Sequence, residues 1–516
     1  MSSGDIVAVL IAFACYLVFM IVIGIFCMKG TNNTEDYFLG GRGLGAWVAA
    51  ISAQASDMSG WLLMGLPGAV YACGTGQAWI AVGLFLGTVF NWLVISGRLR
   101  RYTIRANNSL TLPEFFENRF HDKKRILLLV SSVVIAVFFL VYTASALAAG
   151  GKLFNFVFGI DYRVALAIGA VVILVYTFMG GFLAVCVTDL IQGMLMLCGL
   201  LIVPIIAYFL VGGENILPLI EQSGVAGGAS SYLSLFEDSG KPLGFIDILS
   251  QLAWGLGYCG MPHILVRFMA VKDEKELKKS RVIAIVWVFL SLGMAVLIGI
   301  LGRAYLYPTI LGTEGATSTE NVFIVMISKV FTENFNMAFI GGLFLCGILA
   351  AIMSTADSQL LVTASAVSKD IYKGVVKKDA SDDKVLKISR ITVIAVAVLA
   401  FLIAWDPNSS IMGLVSNAWA GLGSAFGPIV LMSLFWKRTN LPGALAGIIS
   451  GGLTVIIWDY IPLAGGQTLG AATGIYSLLI GFIVSIVLIV VVSLCTKAPS
   501  EEILQEFEDV KNGKVN

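Results

Sequence analysis

The chain has 516 residues, of which 58% are hydrophobic and only 13% charged, and its formal net charge is +1; the mean hydropathy is +0.91. With repeated apolar windows longer than about 18 residues, this composition excludes a set of soluble domains and a basic nucleic-acid binder, and reads as a polytopic membrane protein embedded in a lipid bilayer. The eight cysteines are scattered without metal-ligand spacing and are expected to be free thiols.

The first apolar window follows the acidic start Met1-Ser2-Ser3-Gly4-Asp5 and lacks a basic leader and a small-residue cleavage site, so it is expected to stay as a helix. Apolar windows in chain order predict thirteen spans, near 6–28, 44–70, 76–97, 126–150, 163–180, 184–211, 246–268, 282–305, 337–368, 388–405, 411–435, 441–461 and 472–495. The segment 321–335 ahead of the ninth span is expected as a separate surface helix. Thirteen spans place the basic clusters at Arg98 to Arg105, Lys123 to Arg125, Lys272 to Arg281, Lys373 to Arg390 and Lys437-Arg438 on one side. Of 33 Lys and Arg residues, only Lys152, Arg163, Lys241, Arg303 and Lys329 fall opposite. The positive-inside bias then puts the N-terminus outside and the C-terminus in the cytoplasm of a multi-pass plasma-membrane protein.

Within the second span, Ser56-Asp57-Met58-Ser59-Gly60-Trp61 brings a carboxylate, hydroxyls and a glycine to bilayer depth. An ionised aspartate there costs about 2.5 kcal/mol or more unless it meets a cation or water, so ion movement is the expectation. The seventh span is interrupted as well, by Trp254-Gly255-Leu256-Gly257-Tyr258-Cys259-Gly260-Met261-Pro262. A single membrane glycine is commonly a packing notch. Two breaks five spans apart point further, to inverted five-helix repeats around a midplane site, where freed carbonyls face cations and half-helix N-termini face anions.

Ser354 and Thr355 in the ninth span share it with Asp357, Ser358 and Gln359; the two hydroxyls either bond back to the preceding turn or face the site. Asp189, opening the sixth span, either caps that helix or adds a third acid to the bundle. With no buried Lys or Arg expected, the interior reads as net acidic, and hard cations take such oxygen ligands. The run Lys272 to Lys279 alternates in sign and reads as a solvated helix leading into the eighth span. His121 and His263 read as cap or interface residues near span ends, and the tail from Glu501 as a short amphipathic helix or a disordered segment. No catalytic Ser/His/Asp set, phosphate loop or Cys/His cluster appears, so the chain is not expected to be an enzyme or to need a cofactor.

These motifs, in order, carry a resemblance. Asp36 to Arg42, Ala55 to Val70, Leu110 to Phe116, Gly180 to Gln192, Trp254 to Tyr258, Pro262 to Ile264, Arg267 to Met269, Met353 to Thr355 and Asn417 to Gly421 are similar to the solute:sodium symporter family, particularly its proline-transporting members. The resemblance implies an all-α membrane protein with about thirteen transmembrane helices and the inverted five-helix repeats of the leucine-transporter fold. The transport domain would span residues 1–498, with core repeats about 44–211 and 246–435, and residues 499–516 would form a cytoplasmic tail. By the same resemblance the coupling sodium lies at the carbonyls of Ala55, Met58 and Ala351 and the hydroxyls of Ser354 and Thr355, supported by the Asp57 carboxylate. Substrate positions carry over to Ser59, Gly60, Trp61, Gly65, Tyr142, Trp254, Tyr258 and Pro262; amides near Ser59 and Gly60 can take a carboxylate, and aromatic faces can enclose a small ring or its ammonium. A second cation is expected at Asp189, Asp357 and Ser358.

The implied activity is sodium-coupled uptake of a small amino acid, proline above all, by alternating access. Two departures bear on this: Met261 stands where proline-type members usually carry glutamine, and Asp357 where they usually carry serine or another small residue. A relative for another small organic solute, such as pantothenate or another amino acid, is the alternative. A transporter-like sensor is the other, but little chain follows Pro499 to hold a signalling domain.

Overall fold

A computed structural model describes residues 2–28, 34–177, 181–314, 316–463 and 466–514. Among the described residues ten helices are long and apolar enough to cross a membrane, and with α2, α5 and α7 they make thirteen helical segments: α1 (Ser3–Met28), α2 in two pieces (Ala46–Ala55 and Trp61–Cys73), α3 (Thr75–Arg105), α4 (Ile126–Phe158), α5 (Tyr162–Thr177) and α6 (Phe182–Val211). They continue as α7 (Phe245–Leu252, Ala253–Gly260 and Pro262–Ala270), α8 (Glu274–Tyr305), α9 (Ala338–Val376), α10 (Asp382–Ile403), α11 (Ile411–Phe435), α12 (Leu441–Tyr460) and α13 (Ser477–Cys495). A last helix, α14 (Glu501–Lys511), follows. Gly180, the first residue of one family-like motif, lies outside the described residues.

The spans are apolar all round because one side of each meets lipid and the other meets the bundle. Phe209 is 76% exposed, and Val18, Val286 and Leu402 are likewise turned outward, whereas α9 and α11 run through the centre with most of their residues buried. The expected boundaries shift where charged turns extend a helix. The eighth span begins at Glu274 rather than 282, since Asp273 caps it by accepting from the Glu276 N–H at 2.9 Å. The thirteenth begins at Ser477 rather than 472, because Gly474, at φ +67°, ends the short helix Leu469–Thr473.

The two interrupted spans are α2 and α7, and packing explains why α7 needs its glycines. A Cβ on Gly255 would collide with the Gly83 carbonyl of α3, and one on Gly257 with the Trp419 indole of α11. Small residues here permit backbone contact between helices that larger side chains would hold apart. Met261 is extended at φ −84°, ψ +106°, and Pro262 restarts the helix at a position where its missing N–H costs nothing.

One expectation is corrected and one open alternative is decided. The segment 321–335 is a separate helical piece (Val322–Ser328, continuing through Asn334), but it is not a surface helix. Val322, Phe323, Ile324, Met326 and Ile327 are buried, packed against α8 and the second half of α2. The tail resolves as an amphipathic helix that docks on protein: Phe507 of α14 lies against Tyr102, with the Arg98 and Arg119 guanidinium groups 5.0 and 5.5 Å from its ring centre. Ile503 and Val510 are buried beside it.

Candidate functional site

The break in α2 loosens its backbone bonding. Asp57 and Met58 both donate to the Gln54 carbonyl, at 3.2 and 2.9 Å, and Ser59 donates to the Asp57 carbonyl at 3.0 Å before the chain re-enters a helix as a wide π turn at Trp61–Gly65. The Ala55 carbonyl is thereby left to α9. Ser354 Oγ donates to it at 2.8 Å and Thr355 Oγ1 at 3.3 Å, and Ser354 Oγ is also 3.2 Å from the Ala351 carbonyl. Four oxygens from two helices thus converge with no nitrogen among them. Met58 is buried at the same break, its sulfur accepting from Ser291 Oγ at 3.4 Å.

The Asp57 side chain bonds to the aromatic residues of the site. Its Oδ2 accepts from Tyr258 Oη at 2.5 Å and its Oδ1 has no hydrogen-bond partner. Its carbonyl accepts from Trp61 Nε1 at 2.9 Å and Tyr142 Oη at 3.3 Å. Ser59, Gly60, Trp61 and Gly65 are buried around this carboxylate's turn, and Gly60 is small because α4 leaves no room: a Cβ there would sit 2.6 Å from that of Ala149. Tyr258 meets Trp419 edge to face at 5.1 Å, and Trp419 Nε1 donates to the Trp254 carbonyl at 2.8 Å. The Trp254 ring stacks on Tyr476 at 4.9 Å, with Tyr476 Oη held by the Ser416 carbonyl at 2.7 Å. Trp254 also lines a cavity of about 430 Å³ on the side away from the basic clusters, whereas Pro262 lines one of about 30 Å³ toward them. Of the expected substrate residues, Trp254 thus lines the first cavity together with its stacking partner Tyr476, and Pro262 lines the second.

Asp189, Asp357 and Ser358 come together as well, but around a guanidinium. Arg267, fully buried in α7, donates through Nη2 to Ser358 Oγ at 2.6 Å and to Asp189 Oδ2 at 3.2 Å, and through Nε to Ser52 Oγ at 3.1 Å. Ser52 Oγ completes the knot by donating to Asp189 Oδ2 at 2.6 Å. Asp189 Oδ1 and both oxygens of Asp357 have no hydrogen-bond partner. The expectation of an interior without buried cations is thus corrected: Arg267 and Arg119 are both fully buried. Their hydropathy cost hid nothing in the sequence, since Arg267 stands one turn after His263 in an inner half-helix of only nine residues; what no single span reveals is that this turn faces Asp189 across the bundle.

His263, read as a cap or an interface residue, is the latter. It is no cap: it is fully buried, 5.4 Å from the Phe139 ring and 6.2 Å from Tyr142, and neither ring nitrogen has a partner. Lys152 and Glu320 were not singled out by the sequence, yet they pair at 2.6 Å on the side away from the basic clusters. Glu320 Oε1 also accepts from the Ile411 N–H at 3.0 Å, placing a carboxylate at the N-terminus of α11, where it is favoured by the helix dipole.

The profile of the "Sodium:solute symporter family" matches residues 37–451. The chain belongs to the sodium:solute symporter family. It is 45% identical over 495 residues to the high-affinity proline transporter PutP of Bacillus subtilis (strain 168), covering 96% of this chain and 99% of that protein. It is 44% identical over 503 residues to the sodium/proline symporter of Escherichia coli (strain K12), covering 97% and 95%. Among solved structures, a substrate-bound, outward-open Na⁺-coupled sialic acid symporter superposes with a TM-score of 0.76 at 20% identity, over 96% of this chain and 99% of that one. MhsT in complex with L-phenylalanine superposes with a TM-score of 0.52 at 16% identity, over 88% and 98%. The fold is therefore that of the leucine-transporter type, built on inverted five-helix repeats, in a multi-pass membrane protein that is a transporter and not an enzyme.

Proposed function

We propose that this family member couples the inward movement of sodium to the uptake of proline across the plasma membrane, with its N-terminus outside and its basic clusters in the cytoplasm. The observation that carries the sodium half is the junction of the broken α2 with α9, where Ala55 and Ala351 carbonyls meet the Ser354 and Thr355 hydroxyls. An all-oxygen set suits a hard monovalent cation, and Met58 and Asp57 are the other members we assign to it. The solute half follows relatives at 43–45% identity that are named for proline. Its pocket is assigned to Ser59, Gly60, Trp61, Gly65, Tyr142, Trp254, Tyr258 and Pro262.

The energetics suffice. A potential of about 100 mV contributes about 2.3 kcal/mol per charge, and a tenfold sodium gradient about 1.4 kcal/mol. One ion thus supports an accumulation of about 500-fold. Coupling requires that sodium bind the outward, solute-ready state better than the inward one, since an ion indifferent to the two states would shift nothing. The core of about 44–211 and 246–435 would rock around the site, with α14 in the cytoplasmic tail.

Uptake of labelled proline into proteoliposomes tests this directly. Ser354→Ala and Thr355→Ala are expected to raise the sodium concentration for half-maximal uptake while leaving the order of competing solutes intact. Unchanged sodium dependence in both would remove the cation from this junction. Tyr258→Ala is expected to weaken solute binding by about 1–3 kcal/mol through lost aromatic contact, with a much smaller effect on sodium binding without solute. The alternative, a different small amino acid or pantothenate, is favoured by Met261, fully buried next to Pro262. Met261→Gln is expected to reorder a panel of competing solutes, and an identical profile would take that position out of the selection.

We extend the proposal to a second cation at Asp189, Asp357 and Ser358, on the ground of charge balance. Two carboxylates and the Arg267 guanidinium leave one negative charge, and an uncompensated charge in the bundle is costly. A second coupled sodium would square the attainable accumulation, so reversal potentials count it. Two sodium ions per solute are expected in the wild type and one in Asp357→Ser. One in both, independent of pH, would rule the second site out.

A further inference from the structure

A separate constellation lies nearer the basic face. Asp370, 3% exposed near the end of α9, accepts a hydrogen bond on Oδ1 from Thr111 Oγ1 at 3.0 Å, while its Oδ2 has no hydrogen-bond partner. The hydroxyl of Ser365, 6% exposed, is also without a partner. All three residues line the same largely enclosed cavity of about 30 Å³, room for one water-sized occupant. Asp370 is the one charged residue among its described lining, which is otherwise apolar side chains such as Phe182, Pro262 and Val266.

Among the described residues that carboxylate has no ion pair. Its neighbour Lys369 makes its ion pair with Glu114 instead, at 2.6 Å. The short helix Leu112–Arg119 is already capped, since Thr111 Oγ1 accepts from the Glu114 N–H at 3.1 Å and Glu114 Oε2 accepts from the Leu110 N–H at 2.8 Å. A buried carboxylate oxygen left unpaired is costly, so its retention asks for an occupant. Moreover, α9 widens from α to π geometry at Ala366, next to Ser365 in the cavity wall, and such turns recur at functional sites.

We infer that Asp370, Thr111 and Ser365 form an inner site for a hard monovalent cation, held by one carboxylate and two hydroxyl groups. The inference rests on the symport reading, in which the occupant is sodium. Eleven residues of α9 separate Ser365 from Ser354, about 16 Å at 1.5 Å per residue. The inner site thus stands between the α2–α9 junction and the cytoplasm. Pro262, the first residue of the inner half of α7, forms part of its wall, so rocking of that half-helix changes the cavity. Sodium leaving the junction would meet these oxygens before it meets bulk water.

Solute exchange by the full-length chain in vesicles of defined orientation tests the site, with sodium varied separately on each face. Asp370→Asn is expected to raise the cytoplasmic-side sodium concentration for half-maximal exchange by about tenfold or more, the scale of one lost charged ligand. The external requirement should change by less than about twofold, as expected for distant, independent sites. Ser365→Ala, a milder change that leaves the helix cap intact, is expected to shift the same parameter in the same direction by a smaller factor. Unchanged cytoplasmic-side dependence in both variants, or equal shifts on both faces, overturns the inner site. Sodium independence of the wild type on both faces would overturn the symport reading and this inference with it, whereas external dependence without internal dependence overturns the inner site alone.

Discussion

Asp57→Asn is expected to abolish sodium-driven uptake while leaving the protein folded. The carboxylate accepts a hydrogen bond from the Tyr258 hydroxyl, at 2.5 Å, and an amide oxygen can accept the same hydrogen bond. The substitution thus removes charge and little else. At an effective dielectric of about 20, a unit charge within a few Å of a monovalent cation contributes about 3 kcal/mol or more to its binding. That is about a hundredfold in affinity, enough to empty the α2–α9 junction at ordinary sodium concentrations. Sodium-dependent thermal stabilisation of the purified protein and uptake in proteoliposomes should fall together. Near-normal sodium affinity in Asp57→Asn would show that the carboxylate serves the aromatic cluster around Tyr258 and not the ion.

Arg267→Met is expected to be strongly destabilising. It removes the guanidinium that binds Asp189 and Ser358 and leaves two carboxylates in a fully buried place without a positive partner. Removing one partner of a buried ion pair costs about 3–5 kcal/mol, because the other charge stays behind. The methionine roughly retains the volume, so a cavity contributes little. Adding Asp189→Asn to Arg267→Met should restore much of the thermal stability, since it deletes one of the two stranded charges and returns the group to its wild-type net charge. An Arg267→Met protein as stable as wild type, with no gain from the second substitution, would mean that water or an ion already carries the compensation.

These two expectations draw on different sources of information. Asp57 was legible in the sequence because a carboxylate amid hydroxyls and a glycine in an apolar run contradicts its surroundings, and that contradiction is local. The same holds for the break in α7, where three glycines and a proline interrupt a span, and for Ser354 and Thr355, adjacent hydroxyls in an apolar helix. The thirteen spans were legible for an equally plain reason: a bilayer demands about 20 apolar residues per crossing, and the side of the basic clusters constrains how many crossings there are.

Arg267 illustrates what was not legible. Its partners Asp189, Ser358 and Ser52 come from three other helices, so nothing within its own span marks it as paired. His263 looked like a residue near a span end for the same reason, until the broken α7 turned it inward against Phe139 and Tyr142. The helix at 322–334 has the polar neighbours of a surface segment, yet it buries its apolar face against α8 and α2.

The sequence by itself determined what must be paid for in lipid: which stretches cross, where backbone bonding is interrupted, and which side chains need a partner at depth. Only the tertiary structure decided who those partners are, because desolvation acts on each residue where it stands, whereas compensation depends on residues far away in the chain. Ser354 meets Ala55 across 299 positions and Thr111 meets Asp370 across 259. The site exists only where the helices cross.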